Sequence, residues 1–349
     1  MKMRARFHSA IWIGTVGLTT IVFSSTANAE MIFKYKSSSI SGIQETDTGS
    51  VSPECDDPGN VDTIGSAPGC EGMLIVDTAM LRSAASENAD PTGGYRIDGV
   101  GHGAFEIFHE SGIYTFADSN KNIFTGQVTD MSQLFRNTSF DRDIGYWDTS
   151  SVTSMRYMFA YNSHFNQEIG GWDVSNVEDM NYTFMRASSF NKDIGEWDVS
   201  SVTGMRYLFL NATVFNQDIG QWDVSSVKTM DSMFLDTPFN QDIGSWDVSN
   251  VEDMGRMFYR APFNQSISNW DTSNVTDMRY MFRYTPFDQG IGSWDVSSVD
   301  TMMGMFGDAE SFNQDLSEWC VSNFSSVPSG FSVGADSWLE PRPDWGECP

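Results

Sequence analysis

Seven aspartates stand directly after a tryptophan, at Asp148, Asp173, Asp198, Asp223, Asp247, Asp271 and Asp295. A row of carboxylates at one place in successive units offers the hard oxygen ligands that calcium takes. The same D-x-S-x-V phrases also suit capping: a short acidic side chain accepts free backbone N–H groups where a helix or turn begins. Capping explains why the side chain recurs wherever the same local start recurs. The G-G-x-G-x-D nonapeptide of calcium-binding rolls is absent. Asp118-Ser119-Asn120-Lys121-Asn122 supplies the first three oxygen positions of an EF-hand loop. It has Ile123 where glycine is needed and Thr129 where glutamate belongs, so an Asx-rich turn is the expectation. No metal or cofactor is expected.

Catalytic constellations are scarce. His102, His109 and His164 are scattered, and neither G-x-S-x-G nor H-E-x-x-H occurs. Carboxylate pairs abound, as glycoside hydrolysis would need, but a carboxylate repeated in every unit reads as structural. Four cysteines, Cys55, Cys70, Cys320 and Cys348, allow three pairings. Cys55–Cys70 and Cys320–Cys348 are preferred because each pair lies at one end of the chain. Zinc lacks C-x-x-C spacing and a nearby histidine pair.

Basic residues are few, 20 Lys and Arg against 47 Asp and Glu, a formal charge of −27. Such a surface repels nucleic acid and anionic lipid. Of the eleven basic residues between Val128 and Cys320, eight are arginines on an M-x-x-M-F phrase or the loop after it, Arg136 among them, and tyrosines such as Tyr161 and Tyr182 share that side. Exposed arginines often only sit in solvent or pair with neighbouring aspartates. Arg and Tyr are also enriched at interface hot spots. The candidate partner-binding face, for a protein or glycan, is therefore Arg156, Tyr157, Arg186, Arg206, Tyr207, Arg256, Tyr259, Arg260, Arg279, Tyr280, Arg283 and Tyr284.

Two combs of aromatic residues position these side chains. Tryptophans recur at Trp147, Trp172, Trp197, Trp222, Trp246, Trp270, Trp294 and Trp319, spaced by 24 or 25 residues. The phenylalanine closing M-x-x-M-F runs in phase from Phe135 to Phe306. A period in this range marks a solenoid whose units bury their apolar faces only against their neighbours. The rings, with the 20 methionines, are then core rather than a sugar-binding strip. Within a unit, Val152, Met155, Met158 and Phe159 step as one face of a short helix, behind the caps Asp148, Ser150 and Ser151. Phe165, Ile169 and Trp172 predict a strand, so the expected fold is an α/β solenoid: a right-handed, leucine-rich-repeat-like coil of about eight units. Unit length varies only between the M-F phenylalanine and the next F-N, where three of the short versions carry proline, at Pro238, Pro262 and Pro286; that joint is expected to be a surface loop.

Residues 1–29 read as a secretory signal peptide, with Lys2, Arg4 and Arg6, an apolar Ile11–Phe23 and the cleavage motif Ala27-Asn28-Ala29. The apolar run is too short to span a bilayer. The expectation is export, to the cell surface, medium or periplasm, with no membrane span in the mature chain. Residues 30–127 form a leader and N-terminal cap, with a helix expected in Met73–Ala85 and a hairpin in Ala104–Phe116. The solenoid occupies 128–319 and a stapled C-terminal cap 320–349.

The phrase F-N-Q-D-I-G-x-W-D-V-S-x-V-x-x-M-x-x-M-F resembles the repeat of BspA-type leucine-rich-repeat bacterial surface proteins, and the W-C-V-S and W-G-E-C-P phrases resemble that family's closing segment. The resemblance covers about Gln127 to Pro349. It implies an exported solenoid of a group associated with adhesion to host proteins or other cells. A non-enzymatic adhesion or binding protein is the first expectation, a self-assembling envelope component the second and a secreted hydrolase the third.

Overall fold

The computed structural model describes residues 13–16, 19–22, 55, 57–62, 65–66, 70–71, 73–85, 106–109, 112–115 and 123–349. The chain divides into two compact units, Met1–Ser50 and Val51–Pro349. In the first, β1 (Ile13–Val16) and β2 (Thr19–Val22) pair antiparallel. The Asp118–Asn122 turn and His102 lie outside the described residues.

The second unit is a stack of coils, joined along the M-x-x-M-F phrase. One parallel bridge per coil runs Asp130, Ser154, Asp179, Gly204, Thr229, Asp253, Asp277 and Thr301. From there N–H groups alternate in direction. Those of Met155, Tyr157, Phe159 and Tyr161 donate to Asp179, Asn181, Thr183 and Met185 carbonyls of the next coil at 3.0, 3.1, 2.9 and 2.7 Å. Those of Met158, Ala160 and Asn162 turn back three residues, at 2.9, 3.1 and 3.0 Å. Of these seven donors, four reach the next coil and three stay within their own.

This overturns the expected short helix. An α-helix sends each N–H four residues back along its own chain; here alternate donors leave the coil, and no α-helix occurs among the described residues of 128–319. The turns close because two residues per coil are left-handed. One column holds Tyr157, Tyr182, Tyr207, Ser232, Arg256 and Tyr280, the other Tyr161, Arg186, Asn211, Asp236, Arg260 and Tyr284, all with φ between 54° and 65°. The apolar steps of 3, 3 and 1 mark the inward side of these turns. The predicted D-I-G-x-W strand is also absent. Each W-D aspartate caps, as its chemistry suggested, but it caps a turn: Asp173 Oδ1 accepts from Ser175 N at 3.0 Å and Ser175 Oγ at 2.6 Å. Asp193 and Asp218 do the same for the glycines of D-I-G. Glycine is required there: a Cβ on Gly195 would sit 2.6 Å from the Asp218 carbonyl.

The core is a set of columns one residue wide. The M-F phenylalanines stack from Phe159 on Phe184 at 5.5 Å to Phe282 on Phe306 at 5.7 Å, nearly parallel throughout. Each also faces the F-N ring of its own coil, as Phe159 faces Phe165 at 3.9 Å. The tryptophans form a third column, Trp172 on Trp197 at 6.5 Å. Each indole N–H of this column from Trp172 to Trp319 donates to an isoleucine carbonyl one coil back, as Trp197 does to Ile169 at 3.0 Å. Outside this core an asparagine column ties the joints: Asn191 N donates to Asn166 Oδ1, Asn216 N to Asn191 Oδ1 and Asn240 N to Asn216 Oδ1, at 2.9–3.0 Å. Buried side chains without a hydrogen-bonding role, such as Met205, Met230 and Met254, fill the rest.

Both ends close with different chemistry. At the N-terminal end β3 (Leu74–Asp77) pairs in parallel with β6 (Ile123–Gln127), and α1 (Thr78–Ala85) follows at once. The helix predicted in Met73–Ala85 is present over Thr78–Ala85, and Leu74–Asp77 before it is strand. Asp77 Oδ1 accepts from Met80 N at 2.8 Å, and Arg82 pairs with Asp130 at 2.7 Å. The expected hairpin is β4 (Glu106–His109) with β5 (Gly112–Thr115). At the C-terminal end parallel stacking stops: Trp338 meets Phe312 edge-on at 4.7 Å, and Trp345 meets Phe331 edge-on at 4.9 Å. Disulfides join Cys55 to Cys70 and Cys320 to Cys348.

Candidate binding face

Seven of the twelve Arg/Tyr residues of the candidate face, Tyr157, Arg186, Tyr207, Arg256, Arg260, Tyr280 and Tyr284, sit on the left-handed turn positions. Most of the twelve gather in two clusters rather than one strip, with Arg186 apart on Tyr161. In the first, Tyr157 stacks on Tyr182 at 4.2 Å and Tyr182 on Tyr207 at 4.9 Å, with the Arg156 guanidinium 5.4 and 5.5 Å from the Tyr157 and Tyr182 rings. In the second, Tyr259 meets Tyr284 edge-on at 5.6 Å, with Arg260 and Arg283 over the Tyr284 ring at 5.2 and 4.8 Å. Arg256 lies over Tyr280 at 5.3 Å, and Arg186 covers Tyr161 on the outer turn column at the same distance. Rings with cations on their faces are worth about 0.5–1 kcal/mol each at exposed sites. These contacts hold the rings and guanidinium groups against one another.

Carboxylates separate the two clusters. Arg206 reaches Asp253 at 2.9 Å. Its Nε lies 3.3 Å from Asp231 Oδ2, near enough to pair charges but off line for a hydrogen bond. Arg256 approaches Asp231 from the other side at 4.0 Å, Arg279 pairs with Asp277 at 3.0 Å, and Arg283 with Asp308 at 3.1 Å. Arg156 and Arg260 reach Asp179 and Asp236 more loosely, at 3.4 and 4.0 Å. Pairing with aspartates of adjacent coils therefore accounts for much of the arginine placement. Most of these pairs are too exposed to add more than about 1 kcal/mol each.

Asp231 is the exception, being 1 % exposed. Burial, and then the Asp253 charge, push its carboxyl above the usual carboxylate range despite the pull of Ser232 and Arg206. Burial raises Asp277 as well, against the Arg279 amide and charge. Gly255 makes the crowding possible: a Cβ there would lie 3.2, 3.3 and 3.4 Å from oxygens of Asp253, Asp277 and Asp231. Among the described residues no group of three or more His, Cys, Asp or Glu is placed to hold a metal. His164 sits in an exposed loop beside Ser163.

A groove of about 380 Å³ crosses the first cluster, walled by Arg156, Arg206 and Lys228, with Asn181 and Thr229 among its lining. Gly204 is the one bridge residue without a side chain, and Asn181 leans into the gap to accept from Arg206 N at 2.8 Å. Sequence reasoning passed over Gly204, Lys228 and the carboxylates before methionine. The signal was available in the alignment of units, where V-T-G-M replaces V-E-D-M and M-D-S-M replaces M-R-Y-M.

Among the described residues no helix is long and apolar enough to cross a membrane. No curated protein and no solved structure matches the chain. Residues 105–203, 192–283 and 238–345 each match the family described as "Mycoplasma protein of unknown function, DUF285". Because those stretches overlap into one span that takes in every coil and most of the C-terminal cap, the chain belongs to the DUF285 family.

Proposed function

We propose that this is an exported, non-enzymatic binding protein of the BspA-like kind, and that it adheres to protein or glycan surfaces through its Arg/Tyr face. The supporting observation is the pre-stacked tyrosine and arginine lattice, carried outward on left-handed turns over a core that does not vary. A face held rigid in advance loses little side-chain freedom on binding, so many weak contacts can add up. Its leader would direct export. The pair Asp231 and Asp253 is what a hydrolase would use, but buried Asp231 faces Arg206 and Ser232.

The test is adhesion of protein-coated beads to panels of purified surface proteins and immobilised glycans. The double variant Arg260→Ala with Arg283→Ala should lose most of the binding that the wild type shows, with unchanged circular dichroism. Undiminished binding by that variant and by Arg156→Ala with Tyr182→Ala would remove the face from consideration.

A further inference from the structure

We propose that Tyr157, Tyr182 and Tyr207 are a site of oxidative modification, where hydrogen peroxide with a haem peroxidase joins neighbouring rings into dityrosine and ties one coil covalently to the next. The three stand at one turn position in consecutive coils, with φ 58°, 65° and 56°. Their rings lie face to face, 4.2 Å apart at 12° and 4.9 Å apart at 14°. Arg156 spans the first pair, 5.4 and 5.5 Å from the ring centres. The Tyr182 hydroxyl hydrogen-bonds to that of Tyr157, so the ring carbons flanking the two oxygens are neighbours as well. Coupling needs that adjacency. One-electron oxidation of a phenol, with loss of its proton, leaves a radical shared between the oxygen and the flanking ring carbons. Two such radicals join carbon to carbon, and the displaced ring hydrogens move to oxygen and restore both phenols. Two electrons and two protons leave in all; one peroxide accepts them and becomes two molecules of water.

Competing oxidisable groups in these coils are sealed away. Thioethers are a common target of oxidants, but Met155, Met180 and Met205 are fully buried, and Trp172, Trp197 and Trp222 are at most 4 % exposed. The three tyrosines are half-buried. The second cluster has a different geometry: Tyr259 meets Tyr280 and Tyr284 edge to face, at 87° and 82°, across 6.5 and 5.6 Å. An edge aimed at a ring face does not set the coupling carbons side by side. The consequence for the stack is mechanical. Both disulfides lie at its ends, and the coils between are held by hydrogen bonds and packing. A bond from Tyr157 to Tyr182 spans 25 residues of chain, and closing such a loop restricts the unfolded state.

The full chain, dilute enough to stay unassociated, is treated with hydrogen peroxide and a plant haem peroxidase, then read by dityrosine fluorescence, peptide mass spectrometry and thermal melting. Dityrosine emission should appear in protein that still runs as a single chain. A peptide pair two hydrogens lighter than its sum should link Tyr182 to Tyr157 or Tyr207, and the linked chain should melt higher than the untreated one. Tyr182→Phe keeps the ring and removes the central phenol, so it should lose most of the emission with unchanged circular dichroism. Tyr207→Phe should retain the link between Tyr157 and Tyr182, and Tyr280→Phe should leave the yield as in wild type. Equal emission from wild type and Tyr182→Phe overturns the proposal. So do links found only between chains, a linked chain that melts no higher, or oxidation that stops at exposed thioethers such as Met303. None of these readouts involves a partner, so failure here leaves the adhesive face standing, and failed adhesion leaves the cross-link standing.

Discussion

The inner and outer sides of one turn obey different rules. Inward, Phe159, Phe184, Phe209, Phe234, Phe258, Phe282 and Phe306 repeat without exception, each buried and each seated on the ring before it. Outward, two residues earlier on the same backbone, the column reads Tyr157, Tyr182, Tyr207, Ser232, Arg256, Tyr280, Gly304. The backbone conformation is shared, so it does not dictate the identity. A side chain that must stack on an identical neighbour has one solution, while one that meets solvent or a partner has many. Variation outside is affordable only because the inside does not change.

Breaking the inner column should have the largest effect. Phe209→Ala removes a fully buried ring held between Phe184 and Phe234, and such truncations cost about 3–5 kcal/mol. Tyr207→Ala, one step outward on the same turn, should cost about 1 kcal/mol, the scale of an exposed ring contact. Denaturant unfolding of both variants makes the comparison directly, and equal losses would refute it.

The ends come next. Cys320→Ser with Cys348→Ser should destabilise the C-terminal cap by about 3 kcal/mol, the usual worth of a disulfide closing a loop of this size. Hydrogen exchange should rise around Phe331 and Trp338 while the central coils keep their protection, because coils feel mainly their neighbours.

Left-handed backbone should matter less, and in both directions. Asn211 has φ 55°. Asn211→Gly should hold or raise stability by up to about 1 kcal/mol, and Asn211→Val should lower it by about 1–2 kcal/mol, since β carbons resist that region. Thermal melts of the pair would show it. A matching loss in both would mean that the asparagine side chain, rather than its φ, matters.

The smallest expected effect is on pH. The folded-state carboxyl of Asp231 lies above its ordinary 3.8, so its share of stability is complete below 3.8 and is lost as pH rises through the folded value. Asp223 and Asp271, held low by hydrogen bonds from Ser225 and Ser273, act oppositely and lose their share as pH falls through their folded values. Wild type should therefore gain on Asp231→Asn as pH drops toward 3.8. A constant gap between their melting temperatures across that window would contradict the assignment.

How far the repeat could be read differs by side chain. Trp172, Phe159 and Met155 announced a stacked core because each recurs at 24 or 25 residues and nothing but burial against its own copies explains that. Cys55 and Cys70 lay close in the chain and did pair. The expected helix misled because Val152, Met155, Met158 and Phe159 share a spacing that a helix face and a stack of tight turns both produce. Periodicity says which residues face inward, not where the intervening N–H groups go.

The amino-acid sequence on its own settled the period, the in-phase aromatic columns and the place where unit length varies. These are local or self-matching properties, carried by each unit and its copy. The stacked structure alone decided that N–H groups alternate between coils, that Tyr157 and Tyr161 turn left-handed, that Asp231 meets Arg206, Asp253 and Asp277, and that a groove opens between Arg156, Arg206 and Lys228. Those facts depend on residues 24 to 50 positions apart meeting in space, and only the register of one coil on the next, enforced by the ring columns, brings them together.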